Sequence, residues 1–292
     1  MTAPIKPADA PIVVAVDGSP QSMHAVAWAA ADAASRGRAL SIVSAPELPS
    51  DMRPSVLFSA EDIAGSRHRA EQSLAKAAEV AGSSGVPEIS TELVEGRIVG
   101  YLLGRSADAV LLVVGSRGLG AYRRSLLGSV STAVTRHANC PVAVIRDVSA
   151  TDVVSAAKPV LVGVDGTRNS EPAIELAFDE ASRRKVGLTA LHSWTDVTGM
   201  DIPMLDWVDS EDIEAATLAE SLAGYAERYP DVEVQRILER DRPARSLVRE
   251  SENAQLVIVG SHGRGGFTGM LLGSTSESVL HSVECPVIVV RA

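Results

Sequence analysis

Aromatic residues are scarce in this chain. Phe, Trp and Tyr make up 3% of the 292 residues, although 46% of the residues are hydrophobic. Any core must therefore be filled mainly by Val, Ile, Leu and Ala. Such small and β-branched residues are typical of buried parallel strands that helices cover on both faces. No apolar run is long enough to span a bilayer, so the sequence predicts no membrane-spanning helix.

Cysteine and basic charge are also in short supply. Cys140 and Cys285 each precede a proline and an apolar run, so each is expected at the start of a strand rather than in a disulfide framework. The net charge of −10 argues against the basic face that nucleic-acid binding needs, and against docking on anionic membranes. The first residues lack the apolar segment of a signal peptide. We therefore expect a cytoplasmic protein that binds neither nucleic acid nor membrane.

The same sequence unit occurs twice, which indicates a repeat architecture. Residues 12–19 read IVVAVDGS, and residues 160–167 read VLVGVDGT. We predict two domains, residues 1–147 and 158–292, joined by a linker at about 148–157. Each has the size of an ordinary single domain.

Strand and helix patterns alternate within each copy. In the first copy we expect strands at 12–17, 39–45, 89–94, 109–114 and 142–146, and helices at 21–36, 61–81, 98–106 and from Ser129. This alternation predicts an α/β fold made of two tandem doubly wound, Rossmann-like domains. Each domain is expected to hold a five-stranded parallel sheet of order 3-2-1-4-5, with helices on both faces.

A glycine spacing, G-x2-G-x9-G-S/T, follows the fourth strand of each copy. Its members are Gly115, Gly118, Gly128 and Ser129 in the first copy, and Gly260, Gly263, Gly273 and Ser274 in the second. Glycine removes Cβ atoms that would keep a phosphate away from backbone N–H groups, and it permits unusual backbone angles. The helix that begins at the serine adds free N–H groups and a dipole that favours an anion. The spacing therefore predicts a phosphate cradle, unless the glycines only make a tight turn and the serines only cap a helix.

An aspartate ends the first predicted strand of each copy. With the order 3-2-1-4-5, Asp17 and Asp165 would share a crevice with the glycine loop of their own copy. A carboxylate there could accept hydrogen bonds from an adenine amino group or ribose hydroxyls, and Ser131 and Ser276 could add hydroxyl donors. The chain has no G-x4-G-K-S/T motif, and its first βα turns do not read G-x-G-x-x-G, so neither a Walker loop nor a dinucleotide site is predicted.

These segments resemble the universal stress protein family in its tandem, ATP-binding form. The resemblance covers nearly the whole chain and rests on VAVDGS and VGVDGT, VVGSRG and IVGSHG, both glycine spacings, and the closing CPVAVIR and CPVIVVR. It implies one ATP in each half, with or without Mg²⁺, and a homodimer. It also implies that adenine lies near the aspartate and the end of the second strand, whereas ribose and phosphates lie along the loop and the helix start. The implied site residues are Asp17, Ala45, Gly115, Gly118, Gly128, Ser129 and Ser131, and in the second half Asp165, Ser193, Gly260, Gly263, Gly273, Ser274 and Ser276.

We expect a regulatory, stress-response module rather than an enzyme. The six histidines are scattered without a metal-ligand spacing, and no G-x-S-x-G motif occurs, so no catalytic or metal-binding residue is predicted. A hydrolase also needs a base or a positioned water near the γ-phosphate, and the aspartates would lie at the adenine end. Two alternatives remain at this stage: a slow ATPase and a nucleotide-free interaction scaffold. The protein partner is not predicted.

The two copies differ within their glycine loops. Arg117 is replaced by His262, and the pair Arg123–Arg124 gives way to the single Arg264. We therefore expect the two sites to differ in their affinity for ATP. In the second copy, Met204–Trp207 carries apolar side chains that would cover a ligand, touch a partner or pack ordinarily.

Overall fold

The structure is a computed structural model. It describes residues 9–46, 59–118, 127–146, 153–194, 207–264 and 271–291. Outside these ranges lie residues 119–126 and 265–270 of the two glycine loops, most of the loop at 46–60, the predicted linker up to residue 152, and Met204–Asp206, together with the side chain of Trp207.

The chain divides into two units, Met1–Thr151 and Asp152–Ala292. The first unit contains, in chain order, β1 (Ile12–Ala15), α1 (Pro20–Arg36), β2 (Leu40–Ser44), α2 (Ala60–Gly82), β3 (Ile89–Leu93), α3 (Ile98–Arg105), β4 (Leu111–Gly115), α4 (Ser129–His137) and β5 (Val142–Ile145). Every element predicted for this copy forms, and its ends lie within two residues of the predicted ones.

The second unit repeats this order. It begins with one helical turn, α5 (Val153–Ala156), inside the stretch that the sequence predicts to be a linker. It continues with β6 (Val160–Val164), α6 (Glu171–Arg184), β7 (Leu188–Ser193), α7 (Trp207–Ser221), α8 (Tyr225–Arg228), β8 (Val234–Glu239), α9 (Pro243–Glu250), β9 (Leu256–Gly260), α10 (Ser274–Ser282) and β10 (Val287–Val290). Cys140 and Cys285 are both buried, directly ahead of the last strand of their unit, as the sequence predicts.

Each unit is a doubly wound α/β domain, so the predicted fold class is confirmed. The strand pairings within each unit are parallel, and the strands of the first unit run in the order β3-β2-β1-β4-β5. The strands of the second unit run in the order β8-β7-β6-β9-β10. In the first unit α1 packs against α2, and α3 packs against α4. This grouping is expected when right-handed crossovers place two helices on each face of the sheet.

The core is aliphatic, as the scarcity of aromatic residues predicts. The largest fully buried side chains of the first unit are Ile12, Leu40, Ile42, Leu102, Leu111, Leu112 and Ile145. Phe178 and Trp28 are the aromatic side chains among the buried hydrophobic residues that the structure describes. Because parallel strands are covered on both faces, side chains on both sides of β1, β2 and β4 are buried.

Local sequence explains how the chain turns from β1 into α1. Ser19 caps the helix by accepting a hydrogen bond from the N–H of Ser22 at 3.2 Å, and Pro20 occupies the first turn, where no N–H donor is needed. Gly37 ends the helix in the left-handed conformation at φ 62°. The cap places the Asp17 turn at the carboxyl edge of the sheet. Within the described residues, no helix is both long and apolar enough to cross a membrane.

Candidate functional site

The two aspartates are held by their own turns. Oδ1 of Asp17 accepts hydrogen bonds from the N–H of Ser19 at 2.9 Å and from its hydroxyl at 2.6 Å. Oδ1 of Asp165 accepts the equivalent bonds from Thr167, at 2.7 and 2.8 Å. In the second unit, Oδ2 of Asp165 is buried and has no hydrogen-bond partner among the described residues. A buried carboxylate oxygen without a donor is costly, so the site suits a ligand that donates there.

The second glycine of each motif crosses directly over the aspartate. A Cβ placed on Gly118 would lie less than 3.0 Å from Oδ2 of Asp17, and a Cβ on Gly263 would lie 3.3 Å from Oδ2 of Asp165. The ends of the first and fourth strands of each unit are therefore brought together around one carboxylate. This is the crevice that the strand order predicts.

The missing side chain at the first glycine of each motif leaves space for another segment of protein backbone rather than for a ligand. A Cβ on Gly115 would lie 3.1 Å from the backbone carbon of Gln21 in α1, and one on Gly260 would lie 3.0 Å from the carbonyl oxygen of Asn169, just before α6. The expectation of unusual backbone angles at the motif glycines is wrong, because none of the six has a positive φ. The left-handed glycines are Gly18 and Gly166 in the Asp-Gly turns, at φ 87° and 73°.

The third glycine starts a helix beside the end of the fourth strand. The N–H of Gly128 donates to the carbonyl of Ser116 at 2.8 Å, and the N–H of Gly273 donates to that of Ser261 at 2.7 Å. These bonds fold the loop back so that α4 and α10 begin at the crevice. The first N–H groups of a helix lack intrahelical acceptors, and Ser129 and Ser274 at these positions are exposed.

The hydroxyls of Ser131 and Ser276 are already used. Each donates to the carbonyl of the first motif glycine, Gly115 or Gly260, at 2.6 Å. A hydroxyl has one proton, so in this arrangement it holds the helix against the strand and leaves the backbone N–H groups for an anion. The role of the two hydroxyls as ligand donors stays a prediction.

In the second unit, the predicted residues surround one cavity of about 480 Å³. This volume lies within the range of about 300–1,000 Å³ that small-molecule sites occupy. All seven second-copy predictions line it: Asp165, Ser193, Gly260, Gly263, Gly273, Ser274 and Ser276. Ser193 ends β7, and its hydroxyl donates to the carbonyl of Asp241 at 2.7 Å. In the first unit, the half-buried Ala45 follows β2 at the equivalent place.

The sequence reasoning missed a charged cluster at the edge of this cavity. Arg264, which follows Gly263, pairs with Glu214 of α7, and Glu214 also contacts His192 of β7. Hydrogen bonding from Arg264 lowers the pKa of Glu214 by more than burial raises it, and His192 contributes further to the lowering. No local sequence motif points to Glu214, because the position of this side chain depends on how α7 packs over the strand ends.

The described residues offer no other reactive centre. They contain no group of three or more His, Cys, Asp and Glu side chains placed to hold a metal ion. Burial raises the pKa of the Cys285 thiol to about 12, so this thiol stays protonated at neutral pH. The groups that the described part of the site offers to a ligand are backbone donors, a helix N-terminus and one carboxylate.

The architecture is that of a tandem, doubly wound α/β protein with one glycine cradle in each domain. Comparison with known proteins identifies it further. The profile of the universal stress protein family matches residues 10–146 and again residues 156–291. The chain therefore belongs to the universal stress protein family.

Relatives of similar length support this assignment. Universal stress protein Rv2623 of Mycobacterium tuberculosis is 45% identical over 286 residues, which cover 96% of each chain. Universal stress protein Rv2005c of the same species is 45% identical over 284 residues, again covering 96% of each chain. A crystal structure of a universal stress protein from Archaeoglobus fulgidus shares the fold, with a TM-score of 0.67 and 24% identity over 96% of this chain and 97% of that one.

The contact between Gly118 and Asp17 can be tested by adding one methyl group. We expect Gly118→Ala to lower the free energy of unfolding by about 1–3 kcal/mol, because the new Cβ would displace a carboxylate that its own turn holds in place. We expect Gly263→Ala to be close to neutral, because the 3.3 Å approach needs little adjustment and the reduced freedom of the unfolded chain offsets it. Urea unfolding measures both variants, and equal losses would contradict the difference in approach.

The ion pair of Glu214 should make stability depend on pH in a defined direction. Its pKa is lowered from the usual 4.5, so its contribution is present above that value and is lost as the pH falls through the lowered pKa. Glu214→Gln should therefore lower the melting temperature at pH 7, and this effect should shrink as the pH falls below 4.5 and through the lowered pKa of Glu214. Glu71→Gln is the control, because Glu71 pairs with Arg67 on the exposed surface of α2 and such pairs contribute little. An effect of Glu214→Gln that does not change with pH would contradict this assignment.

Proposed function

We propose that this chain is an ATP-binding universal stress protein that binds one ATP in each half and acts as a regulatory, stress-response module. One observation carries the proposal: all seven residues that the family resemblance implies for the second site line one cavity. These residues belong to segments far apart in the sequence, and only the fold brings them to one place.

The parts of the cavity suit different parts of a nucleotide. Asp165 offers an acceptor to an adenine amino group or a ribose hydroxyl, and its Oδ2 has no donor among the described residues. The N-terminus of α10 offers backbone N–H groups and the positive end of a helix dipole to phosphates. Leu191 and Leu247 add apolar surface for a base. Any Mg²⁺ would be held mainly by the phosphates, since the described residues contain no acidic cluster to bind it.

In this proposal ATP is a ligand whose presence changes the association of the protein, and not the substrate of a dedicated enzyme. The sequence shows no catalytic constellation near the predicted phosphate end, and we assign no catalytic residue. We expect the protein to act in the cytoplasm as a homodimer, so the self-association of the nucleotide-loaded and nucleotide-free forms is the property to compare.

The two-site assignment predicts a stoichiometry. ATP released by acid denaturation, or bound in calorimetric titration, should reach two per chain. Gly118→Glu and Gly263→Glu should each reduce it to one, because each places a carboxylate beside the aspartate of its own unit. Gly82→Glu is the matched control, because a Cβ at this exposed glycine in α2 meets nothing within 4 Å.

Three outcomes would change the proposal. A stoichiometry that stays at two in either glycine variant would reject the site assignment. A wild-type protein that neither carries nor takes up nucleotide would favour the interaction scaffold. Conversion of added ATP to ADP by the wild type, reduced in each glycine variant and lost when the two substitutions are combined, would favour the slow ATPase.

The orphan carboxylate oxygen makes a separate prediction. Asp165→Asn preserves the shape of the side chain and the acceptor for Thr167, but it removes the charge. We expect ATP affinity in the second half to fall roughly 10- to 100-fold, the usual range for a lost charged hydrogen bond. The measurement is calorimetric titration in the Gly118→Glu background, where the first site is disabled. Unchanged affinity would mean that the oxygen does not contact the ligand.

A further inference from the structure

The second cradle contains an internal tie that connects its glycine loop to an outer helix. The Nε of Arg264 donates to the backbone carbonyl of Asp165. Its two terminal nitrogens donate to the two carboxylate oxygens of Glu214, at 3.1 and 2.8 Å. This two-point pairing has the geometry that fixes a guanidinium most firmly. The residue after Gly263 is thus connected both to the end of β6 and to α7.

His192 extends the tie to β7. Its Nε2 lies 2.7 Å from Oε2 of Glu214, and its Nδ1 lies 2.7 Å from the carbonyl oxygen of Val164. Both ring nitrogens face oxygen acceptors, and Nε2 also lies 3.3 Å from a terminal nitrogen of Arg264. The His192 side chain is 1% exposed and that of Glu214 is 18% exposed, whereas Arg264 is 42% exposed, so solvent screens the histidine–glutamate contact less than the arginine.

The first half carries uncharged residues at the positions equivalent to His192, Glu214 and Arg264. Leu40 pairs with Ile12 in the first copy, and Leu188 pairs with Val160 in the second, so Leu40 and Leu188 are equivalent. Ser44 and His192 each lie four residues further along the strand and are therefore equivalent as well. The hydroxyl of Ser44 donates to the carbonyl of Val16 at 2.8 Å and so replaces only the backbone contact of the histidine.

The helix and loop positions follow in the same way. Gly18 lies against Ser73 in the first copy, and Gly166 lies against Thr217 in the second, so Ser73 and Thr217 are equivalent. The residues three positions before them, Ala70 and Glu214, are therefore equivalent too. The residue after the second motif glycine is Leu119 in the first copy and Arg264 in the second. The first copy therefore carries uncharged residues at the positions equivalent to Arg264 and Glu214.

We propose that the Arg264–Glu214 pair is a positioning tie that preforms the second cradle and makes it bind nucleotide more tightly than the first. The inference rests on the proposed function, because it concerns the affinity of that site. Ordering the backbone of one or two loop residues costs conformational entropy. When ligand binding must impose that order, the affinity falls by roughly tenfold. A loop that the protein already holds in place spares the ligand that cost.

The geometry indicates that Arg264 holds the second cradle open for a ligand and does not block it. Arg264 binds the backbone carbonyl of Asp165 and leaves Oδ2 of its carboxylate without a partner among the described residues. The cavity of about 480 Å³ remains open beside the guanidinium. Arg264 is therefore a residue of the cavity edge, and it does not fill the cavity.

The test uses the full chain with Gly118→Glu, which leaves only the second cradle. Arg264→Leu and Glu214→Ala introduce the residues of the first copy at these positions. Each should weaken ATP binding roughly tenfold, and the double variant should be no weaker than Arg264→Leu alone, because that variant already removes both bonds from Arg264 to Glu214. Arg264→Lys should fall in between, since lysine keeps the charge but not the two-point geometry. Arg67→Leu, which breaks an exposed ion pair on α2, is the control.

Association and dissociation rates separate a positioning residue from one that touches the ligand. If the tie preforms the cradle, its loss reduces the fraction of competent protein, so the association rate falls about tenfold and the dissociation rate changes little. Hydrogen exchange of the amides of residues 260–264 should also rise in the nucleotide-free protein. A loss of affinity that lies entirely in the dissociation rate would overturn the positioning role and make Arg264 a ligand contact.

The remaining outcomes distinguish this inference from the proposed function. If Gly118→Glu alone binds one ATP and Arg264→Leu binds it equally well or better, the tie does not preform the site and the inference is overturned, while the proposed function stands. If the wild-type protein binds no ATP at all, the proposed function is rejected, and so is the role of the Arg264–Glu214 pair in ATP affinity. Tighter binding in the Gly263→Glu variant, which leaves only the first cradle, than in Gly118→Glu would also overturn the inference.

Discussion

The candidate site depends on how closely two segments of backbone pass each other at the carboxyl edge of each sheet. The loop after the fourth strand crosses the aspartate turn after the first strand, with no room for a side chain at Gly118 and little at Gly263. This approach places a carboxylate, a row of backbone donors and a helix N-terminus around one crevice. It also explains why glycine is needed: the limit is the space between protein segments, and the motif glycines have ordinary backbone angles.

Much of this arrangement could be predicted from sequence because it is encoded in short segments. Apolar runs such as 111–115 are too uniform for an exposed strand, and their alternation with helical segments leads to a parallel sheet. Strand order then brings Asp165 and Gly263 to the same edge. The duplicated spacing pointed to residues that the fold brings together, since every second-copy residue of the spacing lines the cavity. That they bind ATP stays a prediction.

What the sequence could not provide were contacts that depend on tertiary packing. The role of Gly115 beside the backbone of α1 follows from how the helix lies on the sheet. Likewise, the Ser131 hydroxyl could have faced a ligand or the chain, and only the structure shows its bond to the Gly115 carbonyl. Glu214 meets Arg264 across 50 residues of sequence, so no local pattern relates them.

The repeat provides an internal comparison that separates what the cradle requires from what has diverged. Both copies retain the Asp-Gly turn, the close glycine approach and the serine bond to the strand, so these features are the minimum that builds the crevice. The copies diverge where His192, Glu214 and Arg264 replace uncharged residues. A pair needed only for folding would be expected in both copies, because both build the same sheet and the same turn. The charged residues Arg264 and Glu214 stand at the edge of a cavity in the second copy and have uncharged counterparts in the first, which supports the proposal that the two halves differ in affinity.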